Sequence, residues 1–246
     1  MLDQEHLENY EIEGYLSLES AIGAEELTQL RDFCDFLLKR RGVDLSDSGN
    51  DFDNLNSKLL CWVRAVKDES ELFKERVAFY KQAEKWASQL LKIEADEIRF
   101  RLRVFHKHPK SYSAVDWHQD EAFYQRFSQA KPEGYTSLNM WVALDDATRE
   151  NGCLKYIPGS HKDGLLHHEL TGSMYFEGKL EGEQRENSEQ DGATLYIKDY
   201  SDENAIYAPV NAGGVNIHHS LTVHGSDINS DNSPRGALVL IFQKND

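Results

Sequence analysis

Cysteine is scarce in this chain: Cys34, Cys61 and Cys153 are its three, scattered with no CxxC spacing and no even framework. That argues against a disulfide scaffold or a zinc knuckle, and reads as reduced thiols in a reducing compartment. Positive charge is short as well, 27 Lys and Arg against 43 Asp and Glu, for a net charge of −16. Nucleic acid and anionic membranes need a basic surface, so neither is an expected partner. The same balance disfavours bulky polyanionic substrates such as CoA esters, unless a local basic pocket overrules the average. Long apolar runs are missing; stretches such as "ALVLIF" near the C-terminus are far too short to span a bilayer. The first residues, "MLDQEHLENYE", lack the charged-then-apolar order of a signal peptide, so a soluble cytoplasmic protein is expected. No internal repeat is visible, and no signal speaks to oligomeric state.

What is present suffices for a core: 39% of the 246 residues are hydrophobic and 11% aromatic, which suits one domain over 1–246 without covalent staples. Residues 24–41 set Leu27, Leu30, Cys34, Leu37 and Leu38 at helical spacing, with acids early and bases late as the helix dipole prefers. A second helix, about 69–92, carries Leu72, Val77, Tyr80, Trp86 and Leu90. Between them, "DLSDSGNDFDNLNS" (44–57) fails as an EF-hand, with serines at the third and fifth positions and Leu55 at the twelfth. It reads as a surface or lid loop. Residues 1–97 are therefore expected to be mostly helical.

From 98 onward the texture changes to short alternating runs: 98–108, 114–123, 136–146, 153–160, 213–226 and 235–243, with Asn151-Gly152 as a tight-turn signal. Such spacing predicts a mainly β fold with flanking helices, an antiparallel sandwich or barrel. A polar excursion, about 172–204, interrupts it.

The stretch "DWHQDEAFY" (116–124) places a His and an Asp two residues apart. On a strand, His118 and Asp120 share one face, with Tyr124 continuing it. Two such donors suit a two-His, one-carboxylate set on iron, which leaves three coordination positions open. The best third ligand is His224, in "LTVHGSDINSDNSPRGALVLIF". Alternation would put His218, Ser220, Thr222 and His224 on one face of a single strand, with His218 and His219 serving as hydrogen-bonded strand residues. Arg235, starting the expected antiparallel partner, would lie beside His224 and offer a planar fork for a carboxylate. Iron with open positions and a nearby Arg suits a bidentate keto acid with a distal carboxylate, namely 2-oxoglutarate.

"WHQD", "NGCLKYIPGSHK" and "HGSDINSDNSPR" together resemble the phytanoyl-CoA dioxygenase family of Fe(II)/2-oxoglutarate oxygenases, over roughly residues 100–242. The resemblance implies a double-stranded β-helix, a cupin-like jelly-roll barrel, with His118, Asp120 and His224 holding Fe(II). It also implies that Arg235 and Ser226 bind the distal carboxylate of 2-oxoglutarate, that Trp141 lines that pocket, and that His106 stands where some relatives carry an Asn. O2 is the other cosubstrate, succinate and CO2 the coproducts, and no catalytic residue is implied beyond the iron centre. Related halogenases lack the carboxylate ligand, so Asp120 points to hydroxylation of a C–H bond; desaturation, cyclisation and epimerisation remain open by the same chemistry. Tyr124, Gln119 and Arg103 are the candidates for contact with substrate; Arg101 and Arg103 are within reach of a substrate acid, although strand arginines are commonly surface residues. The acidity of loops 44–57 and 172–204 hints at a polar or cationic small molecule, such as an amino acid, amine or natural-product intermediate. The rival readings are an acyl-CoA hydroxylase, a non-catalytic jelly-roll binding module, and a cupin-type metalloenzyme that does not use 2-oxoglutarate.

Overall fold

Alternation along two ten-residue strands, 98–107 and 235–244, organises the molecule, and the second is buried on both faces for nearly its whole length. The computed structural model describes residues 1–40, 61–110, 114–126, 136–170, 195–198 and 200–244. The loop at 44–57 and most of the excursion at 172–204 lie outside them. In chain order the elements are α1 (Gln4–Glu13), β1 (Tyr15–Leu18), α2 (Ala24–Arg40), β2 (Cys61–Arg64), α3 (Lys67–Arg76), α4 (Phe79–Leu91), β3 (Ile98–Lys107), β4 (Val115–His118), α5 (Asp120–Arg126), β5 (Ser137–Ala143), β6 (Leu154–Tyr156), β7 (Glu169–Leu170), β8 (Leu195–Tyr196), β9 (Ile206–Ala208), β10 (Val215–His219), β11 (His224–Ser226) and β12 (Arg235–Lys244). A six-stranded sheet runs β1-β10-β5-β12-β3-β2, a four-stranded sheet runs β4-β11-β6-β9, and β7 pairs with β8. The fold is mainly β, two antiparallel sheets in a jelly roll with helices on one side.

Side-chain parity separates two cores. Leu138, Met140 and Val142 of β5, Leu238, Leu240 and Phe242 of β12, and Phe100, Leu102 and Val104 of β3 face the helices, joining Leu30, Phe73, Phe79 and Ala83. The opposite parity, with Trp141, Ala143, Ala237, Val239 and Ile241, meets Leu154, Tyr156 and Ala208 of the smaller sheet. Tyr15 of the edge strand β1 stacks on Tyr156 of β6 at 4.4 Å between ring centroids, tying the two sheets together. The space between the sheets is where the polar side chains gather.

Several expected elements are redrawn. The helix at 69–92 is two helices, because Val77 is extended (φ −106, ψ 109) and ends α3. Phe73 and Phe79, six residues apart, would point about 120° apart on one continuous helix; the break lets both bury fully. The first 97 residues are not helical alone: β1 and β2 form the two edges of the large sheet. The expected strand 213–226 is β10 plus β11, in different sheets, joined by a turn at 220–222. That turn is held by Thr222 N–H to His219 O (2.9 Å) and Thr222 Oγ1 to Gly14 O (2.7 Å). Among the described residues no helix is long and apolar enough to cross a membrane.

Candidate functional site

His118 ends β4 and Asp120 begins α5, so the two do not share a strand face as expected. They converge because the chain turns at Gln119, whose side chain is clamped. Its Nε2 donates to Leu221 O (2.6 Å) and Gly164 O (2.8 Å), and its Oε1 accepts from Leu166 N–H (2.8 Å). Gln119, expected to touch substrate, instead has its amide committed to backbone and is fully buried. Asp120 at the first turn of a helix is favoured by the dipole. His224 reaches the same point from β11, directly opposite His118 in the β4–β11 register, with ring centroids 4.2 Å apart. Gly225 permits this strand approach: a Cβ there would sit 2.7 Å from Val115 O. Ligand atoms of His118, Asp120 and His224 lie within 4.8 Å of one another.

Both imidazoles are oriented by their backbone. His118 Nδ1 donates to Asp116 O (2.8 Å) and His224 Nδ1 donates to Thr222 O (2.9 Å). A carbonyl only accepts, so each ring carries its proton on Nδ1 and presents an Nε2 lone pair toward Asp120. Burial pushes both rings below the ordinary histidine range, which keeps them neutral and ligating. Burial alone would raise the Asp120 carboxyl, but His224, His218 and His118 together hold it well below the usual carboxylate range.

Asp120 is in turn fixed by Asn139, which motif reading passed over, and by His218, expected as a hydrogen-bonded strand residue. Asn139 of β5 donates its amide to Asp120 Oδ2, and His218 Nε2 lies 3.0 Å from the same oxygen. Tyr156 OH lies 3.1 Å from His218 Nδ1. Tyr124, a substrate candidate on α5, donates its hydroxyl to Asn139 Oδ1 (2.8 Å) and is buried. Arg103 lies half-buried on β3. Two histidines, one carboxylate and an ordered surround are the donor chemistry of a facial iron site.

A second cluster sits at the start of β12. Arg235 does not pair with β11; its strand is flanked by β3 and β5, and its direct partner is Lys107 of β3. Lys107 is fully buried and Arg235 is 2% exposed. Arg235 Nη1 donates to Gly152 O (2.9 Å), its guanidinium lies 5.0 Å from the Trp141 ring centroid, and its Nε is buried with no partner. Lys107 Nζ donates to Ser226 Oγ (2.7 Å) and to Asp227 O. Gly152 supplies the turn beneath this group at φ +81, where a Cβ would meet Asp227 O at 2.4 Å.

Two adjacent buried cations are costly unless an anion joins them. Burial first, then the Arg235 charge, pushes Lys107 well below its ordinary value, and burial lowers Arg235 to about 10. The orphaned Arg235 Nε beside Lys107 and the Ser226 hydroxyl therefore fits a carboxylate. Lys107 is the residue the sequence reading missed. Its signal was parity: it shares the interior face with Arg235, whereas His106, the expected cosubstrate residue, shares the helix-side face with Phe100, Leu102 and Val104. The β3–β12 register runs without a bulge, so His106 is displaced from that role to a neighbour of Gly236 and His108.

The buried histidines carry a pH consequence. Burial lowers His106 and His219 to about 4. The unfolded chain, with ordinary histidines near 6.5, then binds protons that the folded chain excludes. Stability is fully present above about pH 6.5 and is lost as pH falls toward 4, by on the order of 3 kcal/mol per group. Urea midpoints at pH 7.5 and 5 should therefore differ markedly; equal midpoints would sink this account.

Comparison with known proteins agrees with this geometry. The family model for phytanoyl-CoA dioxygenase matches residues 10–237. The chain is 26% identical over 237 residues to a Stutzerimonas stutzeri protein named "Probable alpha-ketoglutarate-dependent hypophosphite dioxygenase", covering 96% of this chain and 77% of that one. It is 34% identical over 129 residues to phytanoyl-CoA dioxygenase domain-containing protein 1 of Danio rerio, covering 52% of this chain and 39% of that protein. Among solved structures, EvdO2 from Micromonospora carbonacea var. aurantiaca complexed with 2-oxoglutarate superposes with a TM-score of 0.76 at 25% identity, covering 99% of this chain and 91% of that one.

Proposed function

Since the chain belongs to the phytanoyl-CoA dioxygenase family, we propose that it is an Fe(II)- and 2-oxoglutarate-dependent dioxygenase that hydroxylates a C–H bond of a small polar molecule, acting as one domain over residues 1–246 in the cytoplasm. The observation that carries this reading is the pairing of two clusters between the sheets, the His118–Asp120–His224 donors and the Arg235–Lys107 cations. In this reading the first cluster holds Fe(II) and the second holds the distal carboxylate of 2-oxoglutarate.

Iron so held, with 2-oxoglutarate and O2, supplies an oxidation in which the keto acid becomes succinate and CO2 while the substrate gains a hydroxyl. The chain's own contribution is orientation and exclusion of water. Asp116 O and Thr222 O fix the ring tautomers, and Asn139 and His218 orient the Asp120 carboxylate through its Oδ2. Lys107, Ser226 and the Arg235 fork receive the distal carboxylate against the Trp141 face. Because Asp120 occupies the ligand position that a halide would need, hydroxylation is the expected outcome and halogenation is not.

The test follows succinate release with Fe(II) and 2-oxoglutarate, each omitted in turn, against a substrate library with mass detection of products. Turnover that requires both supports the reading. Binding alone should also stabilise the protein: 2-oxoglutarate at a hundred times its Kd adds about 2.7 kcal/mol, a rise in Tm of several degrees. No thermal shift and no bound iron after anaerobic reconstitution would favour a non-catalytic binding module.

A further inference from the structure

Lys107 and Arg235 are direct cross-strand partners, which sets their Cβ atoms about 5 Å apart on one face. Both are shut off from water, at 0% and 2% exposure. Every hydrogen-bond partner of Lys107 Nζ is neutral: Ser226 Oγ (2.7 Å), Ser226 O (3.5 Å) and Asp227 O. Arg235 has Gly152 O and the Trp141 ring, with its Nε unpartnered. The Asp227 carboxylate is engaged elsewhere, by Lys155 Nζ (2.7 Å) and the Tyr207 hydroxyl (2.6 Å). Among the described residues, no carboxylate pairs with either Lys107 or Arg235.

Two positive charges so placed repel each other without solvent to screen them, and the arrangement is relieved when one proton leaves. A guanidinium keeps its proton at neutral pH; a buried amine gives its proton up. The contacts of Nζ suit the neutral form. An amine donates two hydrogens, here to the two carbonyls, and its lone pair accepts one, here from the Ser226 hydroxyl. The surrounding charges act in the same direction. Burial first, then Arg235 of β12, lowers Lys107; Asp227 after β11 and Cys153 before β6 oppose them, Lys155 of β6 adds to the lowering, and the net direction is well below the lysine range. Burial pushes the chain neighbours His106 and His108 down as well, so at neutral pH neither adds a charge.

We propose that Lys107 is a neutral amine in the unliganded protein and takes up a proton from solvent when the distal carboxylate of 2-oxoglutarate seats between it and Arg235. This rests on the function proposed above and couples its cosubstrate site to pH. The cradle then holds a single net positive charge throughout: Arg235 alone before binding, and Arg235, an ammonium and a carboxylate after it. Affinity for 2-oxoglutarate falls as pH rises, by about tenfold per unit while the free cradle lacks the proton and the filled one keeps it. Succinate carries the same distal carboxylate, and its release returns the proton.

The experiment uses the full chain loaded anaerobically with Fe(II), titrated by calorimetry at pH 8 in HEPES and in Tris, whose ionisation enthalpies differ. Oxalate, which chelates iron but has no distal arm, is the reference ligand. 2-Oxoglutarate should take up about one proton more than oxalate, and in K107M that excess should vanish. The parent's Kd for 2-oxoglutarate should rise about tenfold from pH 7.5 to 8.5, while that for oxalate does not. The comparison of ligands needs only the parent, so it stands even where K107M folds poorly. A second readout needs neither iron nor cosubstrate. In protein carrying carbon-13 at the lysine ε-carbon, one resonance, lost in K107M, should sit at the neutral-amine shift at pH 8. Equal proton uptake with the two ligands, or lysine resonances that are all ammonium at pH 8, overturns the inference. If neither ligand binds, it is the proposed function that fails, and the ε-carbon resonance still decides the charge of Lys107.

Discussion

Asp120→Ala is expected to abolish measurable iron binding and to lower 2-oxoglutarate-dependent succinate formation at least about a hundredfold, beyond the 10- to 100-fold range typical of residues that only support a metal ligand. The carboxylate is the one negative charge offered to a divalent cation by the three donors; the two imidazoles, held neutral by burial, cannot replace it. The substitution also leaves the Asn139 amide and His218 Nε2 without their acceptor, at a cost of about 1–3 kcal/mol for each buried group. Loss of activity could therefore be mistaken for loss of fold. Asn139→Leu separates the two effects, because it breaks the support and keeps the ligand. Iron affinity measured by anaerobic titration should rank parent, then Asn139→Leu, then Asp120→Ala, with the last at background. If Asp120→Ala turns over 2-oxoglutarate like the parent while remaining folded, the metal assignment is wrong.

That ranking depends on geometry that the sequence disclosed only in part. The donors were legible because the motifs around His118, Asp120 and His224 are short and local, and metal chemistry restricts which residue types can serve. How they meet was not. "DWHQDEAFY" alternates well enough to read as a strand, yet its acidic start followed by Ala122 is equally a helix start, and the Gln119 clamp that decides the matter comes from residues 164, 166 and 221. "HHSLTV" contains neither Gly nor Pro, so periodicity ran straight through a turn fixed by Gly14, far away in sequence. β1 and β2 are four residues each, and as edge strands they draw their stability from a single neighbour rather than from a pattern of their own. Lys107 was available to the same parity argument that placed its neighbours, once β3 was taken to face helices on one side and the second sheet on the other.

The cradle gives the second large effect. Arg235→Gln is expected to raise the apparent KM for 2-oxoglutarate by at least about a hundredfold, with a smaller change in kcat at saturation. Truncating one partner of a buried, hydrogen-bonded charge pair costs about 2–5 kcal/mol, which is roughly 30- to 5,000-fold in affinity. Arg235 belongs in the upper part of that range, being 2% exposed with its guanidinium set by Gly152 O and the Trp141 face. Arg235→Lys should fall between parent and Gln, since it keeps charge but loses the planar fork. Lys107→Met should raise KM less than Arg235→Gln, because Arg235 still supplies a charge and a fork; it also removes the burial cost and then the Arg235 repulsion that depress Lys107, so the unliganded variant should lose little stability despite Ser226 Oγ and Asp227 O losing their donor. A KM unchanged in Arg235→Gln would show that Arg235 does not hold the cosubstrate, and turnover that persists with 2-oxoglutarate omitted would instead indicate a metalloenzyme that oxidises its substrate without it.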